Sequence, residues 1–408
     1  MLSFQHAQLS NGLDIVAETS AAAQSVALGF MVKTGARDET AALSGVSHFL
    51  EHMMFKGTPR RTSQQVNEEF DAMGARNNAF TSNEVTCYWA NVLPEFTVPC
   101  LDLLADMLRP SLRADDFEME KKVIQEEIAL YLDRPSQVLF EAIMQDHFGT
   151  HPMANSVLGT KESVGALTRE QMLDYFSRRY SPGNMVLAVA GKLDFPAFVK
   201  EAEVRCGVWD AMNVSREYPQ PVLAAKRRHL QDAKLNRHYI AALCPGPSAQ
   251  DDERYAAQVL SDVVGDHEGS RLYWALVEPG LADEADFSFY PHDRTGSFMV
   301  YASCDPERAA QVEGILLEEL AKTFKEGLSD AEVARSKNKI QTGTVIQGEL
   351  PLGRMRSLAG RWIYNHEYRT LEEDLERLDS ITRGDLQAVV ERCGFAPLTI
   401  TTLGPGEK

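Results

Sequence analysis

The sequence predicts an α+β protein with two similar domains, and two observations predict this class. Strand-like apolar runs such as SVALGFMV and HYIAALC are mixed with long helical stretches in both halves of the chain. In addition, Leu167–Met172 (LTREQM) is echoed by Ile381–Leu386 (ITRGDL), and each is followed by an amphipathic helix, a turn and a strand. A repeat of this length indicates two similar domains instead of a solenoid.

The domain boundaries follow from this repeat and from a change in composition. Lys122–Gln125 (KVIQ) is echoed by Asn338–Gln341 (NKIQ). The stretch between the halves contains Pro219, Pro221 and a basic run at 226–228, as is typical of a linker. We therefore predict a first domain over residues 1–210, a linker over 211–228 and a second domain over 229–408.

The composition is that of an ordinary globular protein, with 44% hydrophobic and 25% charged residues among 408. The formal net charge of −18 attracts neither nucleic acid nor anionic lipid, so we expect no nucleic acid or membrane partner. The first residues have no signal segment, and Asn11-Gly12 instead marks a hairpin turn. Because the six cysteines have no close spacing, we expect reduced thiols in a cytoplasmic protein.

The most informative motif is H-x-x-E-H at residues 48–52 (HFLEH). On a helix, His48 and His52 lie four residues apart on one face, so their imidazoles can bind one metal ion. Glu51 is on the same side and can reach a water molecule on that metal. This order is the inverted form of the zinc peptidase motif. The alternative is a pair of surface histidines that share helical spacing by chance.

A third ligand is predicted in a second helix over Asp115–Asp133. Its apolar residues form an arc on the helical wheel around Glu127 and Glu120: Phe117, Val123, Ile124, Ile128, Leu130 and Tyr131. A carboxylate within an apolar face is costly unless it is paired or bound to a metal. Glu126 lies elsewhere on the wheel, near Lys122, as on a solvated face. Glu127 and Glu120 are therefore the candidates, and a buried Glu–Arg ion pair is the alternative.

Together these motifs resemble the M16 (pitrilysin/insulinase-like) zinc metallopeptidases. The resemblance covers nearly the whole chain and rests on HFLEHMMFKGT (His48–Thr58), GARNNAFTSNEVTCYW (Gly74–Trp89), EKKVIQEEI (Glu120–Ile128) and YSPGNMVLAVAG (Tyr180–Gly191). More narrowly, the chain is similar to the bacterial M16B subfamily, related to the β subunit of the mitochondrial processing peptidase. The resemblance implies a LuxS/MPP-like metallohydrolase fold, with two homologous αβ domains that each pack helices on a mainly antiparallel sheet.

The resemblance also implies the chemistry of the site. In that family two histidines and a later glutamate bind one Zn²⁺ per chain, and the matching residues here are His48, His52 and Glu127. Glu51 matches the general base, and Glu120 matches a carboxylate that supports the metal ligands. The implied function is a zinc-dependent endopeptidase that hydrolyses peptides or unfolded segments inside a chamber formed with a partner subunit.

The substrate-binding candidates lie on an expected edge strand. The resemblance implies that this strand pairs with the backbone of an extended peptide substrate, and the alternative is an ordinary edge strand. The candidates are four consecutive residues: Asn78, Ala79, Phe80 and Thr81. The second half has no H-x-x-E-H, and the repeat places Gly343 at the position equivalent to Glu127. Only the first domain is therefore expected to hold the metal.

One position departs from the family pattern. Many relatives carry an Arg and a Tyr in the second domain that hold the substrate carbonyl. Leu276 and Asp283 occupy these places here. Either Arg271 or Tyr273 substitutes for the pair, or a partner supplies it. We therefore expect a homodimer, or a heterodimer with a related M16 chain that carries the Arg and the Tyr.

Two other classes of protein remain open. One is a non-catalytic assembly subunit of the same fold, which the intact metal set disfavours. The other is a mononuclear iron oxygenase, because two histidines and one carboxylate also suit Fe(II). Ligands carried on helices, with a glutamate in the position of a base, favour the zinc peptidase.

Overall fold

The computed structural model of the protein describes residues 2–406. The chain forms two compact units, and each groups segments that are distant in sequence. The first contains residues 2–129, 155–217 and 346–368, and the second contains residues 130–154, 218–345 and 369–406. Each unit is a sheet with helices packed on it, so the predicted α+β class with two αβ domains is confirmed.

Groups of strands and groups of helices follow one another along the chain. The strands are β1 (Leu2–Gln8), β2 (Asp14–Ser20), β3 (Val26–Val32), β4 (Arg76–Thr81), β5 (Thr86–Val92), β6 (Met185–Gly191), β7 (Lys226–Gln231), β8 (His238–Pro245), β9 (Glu284–His292), β10 (Thr295–Cys304) and β11 (Thr399–Gly404). The helices are α1 (Val46–Met54), α2 (Ser63–Ala72), α3 (Thr97–Met107), α4 (Ala114–Leu132), α5 (Pro135–Phe148), α6 (Lys161–Ala166), α7 (Arg169–Arg179), α8 (Phe195–Cys206), α9 (Arg254–Gly265), α10 (Ala309–Glu326), α11 (Asp330–Gly348), α12 (Pro351–Asn365), α13 (Leu371–Ser380) and α14 (Arg383–Cys393).

The sheet of the first unit has the strand order β1-β2-β6-β3-β5-β4. Strands β2 and β6 run parallel and the other neighbouring pairs run antiparallel, so the sheet is mainly antiparallel, as predicted. β1 and β2 form the hairpin predicted at Asn11-Gly12, where Gly12 adopts a φ of +91° that favours glycine. β4 lies at the edge of the sheet and carries the substrate-binding candidates.

Helix α12 covers one face of this sheet, although it comes from the second half of the sequence. Its apolar residues, among them Met355 and Trp362, pack in one cluster with Met31 of β3 and Ala188 of β6. The Arg354 guanidinium also forms a buried ion pair with Glu18 of β2, whose Oε1 accepts a hydrogen bond from Nε at 2.7 Å.

The sheet of the second unit has the order β7-β11-β8-β10-β9, and β7 and β11 are its parallel pair. Helix α5, from the first half of the sequence, packs on one face through Leu139, Ile143 and Phe148. The largest core cluster of this unit joins β8, β9 and β10 to α9, α10 and α14.

The internal repeat is present in the structure. Thr168 and Thr382 cap helices α7 and α14 by accepting hydrogen bonds from the backbone N–H groups of Gln171 and Asp385, and β6 and β11 follow these helices. The compact units differ from the linear division at 210 and 229, because 130–154 groups with the second unit and 346–368 with the first. The predicted boundaries thus describe the two halves of the repeat and remain a prediction about domains.

Two general expectations can be compared with the described residues. No helix within residues 2–406 combines the length and the apolar character that crossing a membrane requires. All six cysteines are free and buried, in keeping with the predicted reduced thiols.

Candidate metal centre

Helix α1 carries the H-x-x-E-H residues and is fixed at its N-terminus. Gly45 precedes the helix with φ +90°, a left-handed conformation that favours glycine. The Glu39 carboxylate accepts hydrogen bonds from the backbone N–H groups of Gly45 and Ser47, each at 2.7 Å. These bonds satisfy donors that a helix start leaves unpaired. Burial nevertheless disfavours the charge of Glu39 and raises its pKa to about 8.

The two faces of α1 differ in composition and burial. The aliphatic face is fully buried and consists of Val46, Phe49, Leu50 and Met53. His48 and His52 lie on the opposite side, with ring centroids 4.7 Å apart. The burial of the aliphatic side therefore fixes the direction in which both imidazoles point.

Helix α4 brings Glu127 to the two histidines. Oε2 of Glu127 lies 3.8 Å from Nε2 of His48 and 3.5 Å from Nε2 of His52. One ligand atom from each of the three residues lies within 4.8 Å of the others. Within residues 2–406, this is the one group of three or more His, Cys, Asp or Glu side chains that could hold a metal ion in this way.

The donor set fits Zn²⁺. With metal–ligand bonds of about 2.0–2.2 Å, the ligand atoms of a tetrahedral site lie roughly 3.3–3.6 Å apart. The two measured separations, 3.5 and 3.8 Å, are close to this value. Two imidazoles and one carboxylate are also the three-ligand set of known catalytic zinc sites, which keep a fourth position for water.

Glu120 lies about two helical turns before Glu127 on α4 and contacts His52. Its Oε1 lies 2.8 Å from Nδ1 of His52, which leaves Nε2 of that ring to face Glu127. Its Oε2 lies 2.5 Å from Nζ of Lys56. Burial raises the pKa of Glu120, but His52 and Lys56 outweigh burial and hold the pKa below its ordinary value. The buried carboxylate that the helical wheel predicted is therefore paired.

Burial and neighbouring charges shift the pKa values of three groups at the site. Burial, with a smaller effect from His52, lowers the pKa of His48 to about 3, so this imidazole is neutral and can bind a metal. Burial also lowers the pKa of His52, but Glu120 and Glu127 outweigh it and raise that pKa overall. Burial raises the pKa of Glu51, against an opposing hydrogen bond from a neighbouring hydroxyl.

That hydroxyl belongs to Thr81, the last residue of β4. Oγ1 of Thr81 donates a hydrogen bond of 2.6 Å to Oε2 of Glu51. Asn78 and Phe80 are exposed on the other face of the strand, whereas Ala79 and Thr81 are half-buried. The structure thus brings Thr81 to the metal site and places the remaining candidates on the strand beside it. Their binding of substrate stays a prediction.

The open edge of β4 presents the backbone of alternate residues. The Ser82 N–H donates to Val85 O across the β4–β5 hairpin at 2.9 Å. Because alternate residues of an antiparallel strand face opposite neighbours, Phe80 also faces β5, and the N–H and C=O groups of Ala79 and Thr81 face the open edge. The Ala79 N–H donates there to Oδ1 of Asn78 at 2.8 Å, so a bound peptide would have to replace that bond. An extended peptide can pair with this edge.

The residues considered for the missing Arg and Tyr pair lie in the second unit. Arg271 donates to both carboxylate oxygens of Glu332 and to Gly327 O, so its guanidinium has structural partners there. Leu276 is fully buried in the core of this unit, and Asp283 forms an ion pair with Arg237. A substrate-binding role for Arg271 remains a prediction.

Sequence reasoning missed Glu39 and Lys56 and misplaced two apolar residues. The spacing of four residues between His52 and Lys56 could have indicated that both reach one carboxylate. An acidic residue shortly before a helix could have indicated Glu39. Val123 and Leu130 were predicted within the buried arc of α4, which is wrong, since they are 48% and 63% exposed. The buried face of α4 is narrower and consists of Phe117, Glu120, Ile124 and Ile128.

Similarities to known proteins agree with this geometry. Residues 14–161 match the family model described as insulinase (peptidase family M16), and residues 166–340 match the one described as the peptidase M16 inactive domain. An uncharacterized zinc protease of Mycobacterium leprae is 33% identical to this chain over 97% of the chain and 91% of its own length. The chain belongs to peptidase family M16. In this M16 chain, all three donors and Glu51 lie within the segment that matches the first model.

Solved structures share the fold of this M16 chain. A protease from Helicobacter pylori superposes with a TM-score of 0.92 at 20% identity, covering 99% of this chain and 100% of that one. A chain of complex III2 from Candida albicans superposes with a TM-score of 0.84 at 18% identity, covering 98% and 96% of the two chains. At these identities, the likenesses show the fold alone.

Proposed function

We propose that this chain is a zinc-dependent endopeptidase that hydrolyses peptides or unfolded segments. The observation that carries the proposal is the convergence of His48, His52 and Glu127 donor atoms beside the Glu51 carboxylate. These three residues would hold one Zn²⁺ per chain. The metal supplies a Lewis acid that polarises a carbonyl group and makes water acidic enough to lose a proton near neutral pH.

Glu51 would act as the general acid and base. One of its oxygens, Oε2, accepts the hydrogen bond from Thr81, so Oε1 is the oxygen left to take a proton from the attacking water. The same oxygen would then deliver the proton to the amine that leaves. Glu120 would keep His52 in the tautomer and orientation that direct Nε2 to the centre of the site.

Strand β4 would hold the substrate in an extended conformation. Main-chain hydrogen bonds to the open edge at Ala79 and Thr81 would bind peptides with little dependence on sequence. Peptides and unfolded segments can adopt this conformation, whereas folded proteins rarely offer a free strand. The open edge of β4 also favours an endopeptidase, because pairing with a strand edge does not require a free end of the substrate peptide.

The purified chain, loaded with zinc, tests this function on a mixture of quenched fluorogenic peptides. We expect cleavage that a chelator abolishes and added zinc restores. Glu51→Gln should keep its zinc and lose about 10²- to 10⁴-fold in rate, because Glu51 transfers protons and binds no metal. Near-normal turnover by the zinc-loaded variant would show that another group is the base.

The same measurements decide between the remaining classes. A non-catalytic subunit, for which the likeness to a complex III2 chain is the specific observation, would keep zinc yet cleave no peptide, either alone or with a related chain. Elemental analysis of the purified protein separates zinc from the iron of an oxygenase.

We also propose that the working enzyme is a homodimer, or a heterodimer with a related M16 chain that carries the Arg and Tyr pair. Support for the heterodimer comes from the two positions where the pair is expected. Leu276 has no polar side-chain atom and is buried, and the Asp283 carboxylate is an acceptor that pairs with Arg237, so neither can donate to a substrate carbonyl. Comparing the chain alone with its mixture with such a partner tests this proposal.

A further inference from the structure

We infer that Thr81 is a positioning residue for the general base: its hydroxyl holds one oxygen of Glu51 and thereby directs the other to the reacting water. The inference rests on the proposed peptidase function and deepens it. It also extends the expected role of Thr81, which was predicted only as part of an edge strand that pairs with the substrate backbone. The backbone of Thr81 would bind substrate, and the side chain would serve Glu51.

The hydroxyl of Thr81 has one proton, and its neighbours decide where that proton goes. Oγ1 lies 2.6 Å from Oε2 of Glu51 and 3.5 Å from Oγ1 of Thr86. The Thr86 hydroxyl donates its own proton to Thr34 O at 2.9 Å. Because a bond to a carboxylate is shorter and stronger than one between two hydroxyls, the Thr81 proton is committed to Glu51.

The hydrogen bond from Thr81 fixes the orientation of the Glu51 carboxylate. A glutamate side chain has a broad terminal torsion, so without a partner its two oxygens would exchange places freely. The bond to Thr81 anchors Oε2 on the side of β4. Among residues 2–406, no hydrogen bond from the protein to Oε1 accompanies it, so Oε1 is the oxygen available for proton transfer.

The position of Thr81 at the edge of the sheet links its hydrogen bond with Glu51 to substrate binding. Its side chain points to α1, while its N–H and C=O groups face the open edge of β4. A peptide that pairs with this edge would therefore order the same residue that orients Glu51. Binding of an extended substrate and correct placement of the base are coupled through one residue.

Three variants test the inference in the zinc-loaded chain. Thr81→Val replaces the hydroxyl with a methyl group of similar size, Thr81→Ser keeps the hydroxyl, and Thr19→Val makes the same change on β2 of the same sheet. We expect Thr81→Val to lower kcat about 10- to 100-fold, because a misplaced catalytic group costs this much. KM should stay within about twofold, since the backbone edge is unchanged. Thr81→Ser should return kcat to within about threefold of the parent value.

Zinc content and a crystal structure of Thr81→Val provide readouts besides activity. We expect full zinc in all variants, and a Glu51 carboxylate that has left its wild-type orientation in Thr81→Val alone. The inference is overturned if Thr81→Val raises KM at unchanged kcat, if Thr81→Ser loses as much as Thr81→Val, or if Glu51 keeps its orientation. Loss of the proposed function itself is separate, because it would show as a parent chain that is inactive both alone and with a related M16 chain, or as an active Glu51→Gln.

Discussion

At the scale of single residues, the zinc affinity of two variants tests whether Glu127 or its neighbour Glu126 is the metal ligand on α4. Glu127 faces the two histidines, whereas Glu126 is exposed. Glu127→Ala removes one of the three proposed ligands and should weaken zinc binding by about 100-fold or more, since even supporting residues cost 10- to 100-fold. Glu126→Ala should bind zinc as the parent does. Competition with a metal indicator dye measures both affinities, and equal retention would mean that another carboxylate is the ligand.

The residues of the candidate metal centre could be selected from the sequence because their signals are local. The spacing of His48 and His52, and the place of Glu127 and Glu120 in the apolar arc of one helix, need no tertiary information. The helix itself was predicted over 115–133 and is observed at Ala114–Leu132. The bond between Thr81 and Glu51 could not be predicted in the same way, because it depends on how an edge strand approaches a helix.

At the scale of elements, the start of α1 should respond to pH through Glu39. Its pKa is about 8 in the folded chain and 4.5 when unperturbed, because burial disfavours the charge. The folded state therefore binds the proton more tightly, and the stability from this group is lost as pH rises from 4.5 to 8. Glu39→Gln removes this dependence, at the cost of one of the hydrogen bonds from Gly45 and Ser47.

Thermal midpoints of the zinc-loaded parent and of Glu39→Gln, measured from pH 5 to pH 8, check this prediction. Other titrating groups are common to both proteins, so they cancel in the difference between the midpoints. We expect the advantage of the parent over the variant to shrink steadily as pH rises. A difference that stays constant or grows would show that the Glu39 carboxylate is ionised in the folded chain throughout.

Strand β4 offers a matched pair of proline substitutions. The Ala79 N–H faces the open edge, where only the exposed side chain of Asn78 accepts its hydrogen bond among the described residues, whereas the Phe80 N–H faces β5. Proline is tolerated on an edge strand only where the missing N–H would face outward. Ala79→Pro should therefore keep the thermal midpoint near that of the parent and raise KM about 2- to 10-fold, by removing a donor to the substrate backbone. Phe80→Pro should lower the midpoint. The reverse pattern would place the substrate elsewhere.

Strand identity was easier to predict than strand order. The apolar runs of β3 and β6 and the turn between β1 and β2 are visible in the sequence, because each depends on neighbouring residues. The insertion of β6 between β2 and β3 is not visible, because it joins residues far apart in the chain. The sheet that α12 covers could not be predicted either, because its amphipathic pattern does not indicate which sheet the helix packs on.

At the scale of the whole molecule, the ion pair between Glu18 and Arg354 ties residues 346–368 to the first sheet. Both side chains are buried. Arg354→Met leaves the Glu18 carboxylate without its cation and should cost about 3–5 kcal/mol. Arg356→Met, two residues on, removes an exposed guanidinium that stacks on Trp89 and should cost under about 1 kcal/mol. Denaturant midpoints of the two variants measure the contrast, and similar midpoints would assign little stability to the buried pair.

The catalytic unit itself is the largest-scale question, and the positions of Leu276 and Asp283 make it testable. Neither side chain there would donate a hydrogen bond to the oxyanion of the proposed reaction, and losing one good donor costs roughly 3 kcal/mol. The isolated chain should thus bind zinc fully yet cleave slowly. Addition of a related M16 chain that carries the Arg and the Tyr should raise the rate about 10-fold or more. The same partner with both residues replaced by alanine serves as the control and should give no increase. If light scattering shows a monomer that cleaves as fast as the mixture, the shared site is excluded, and Arg271 becomes the donor to substitute next.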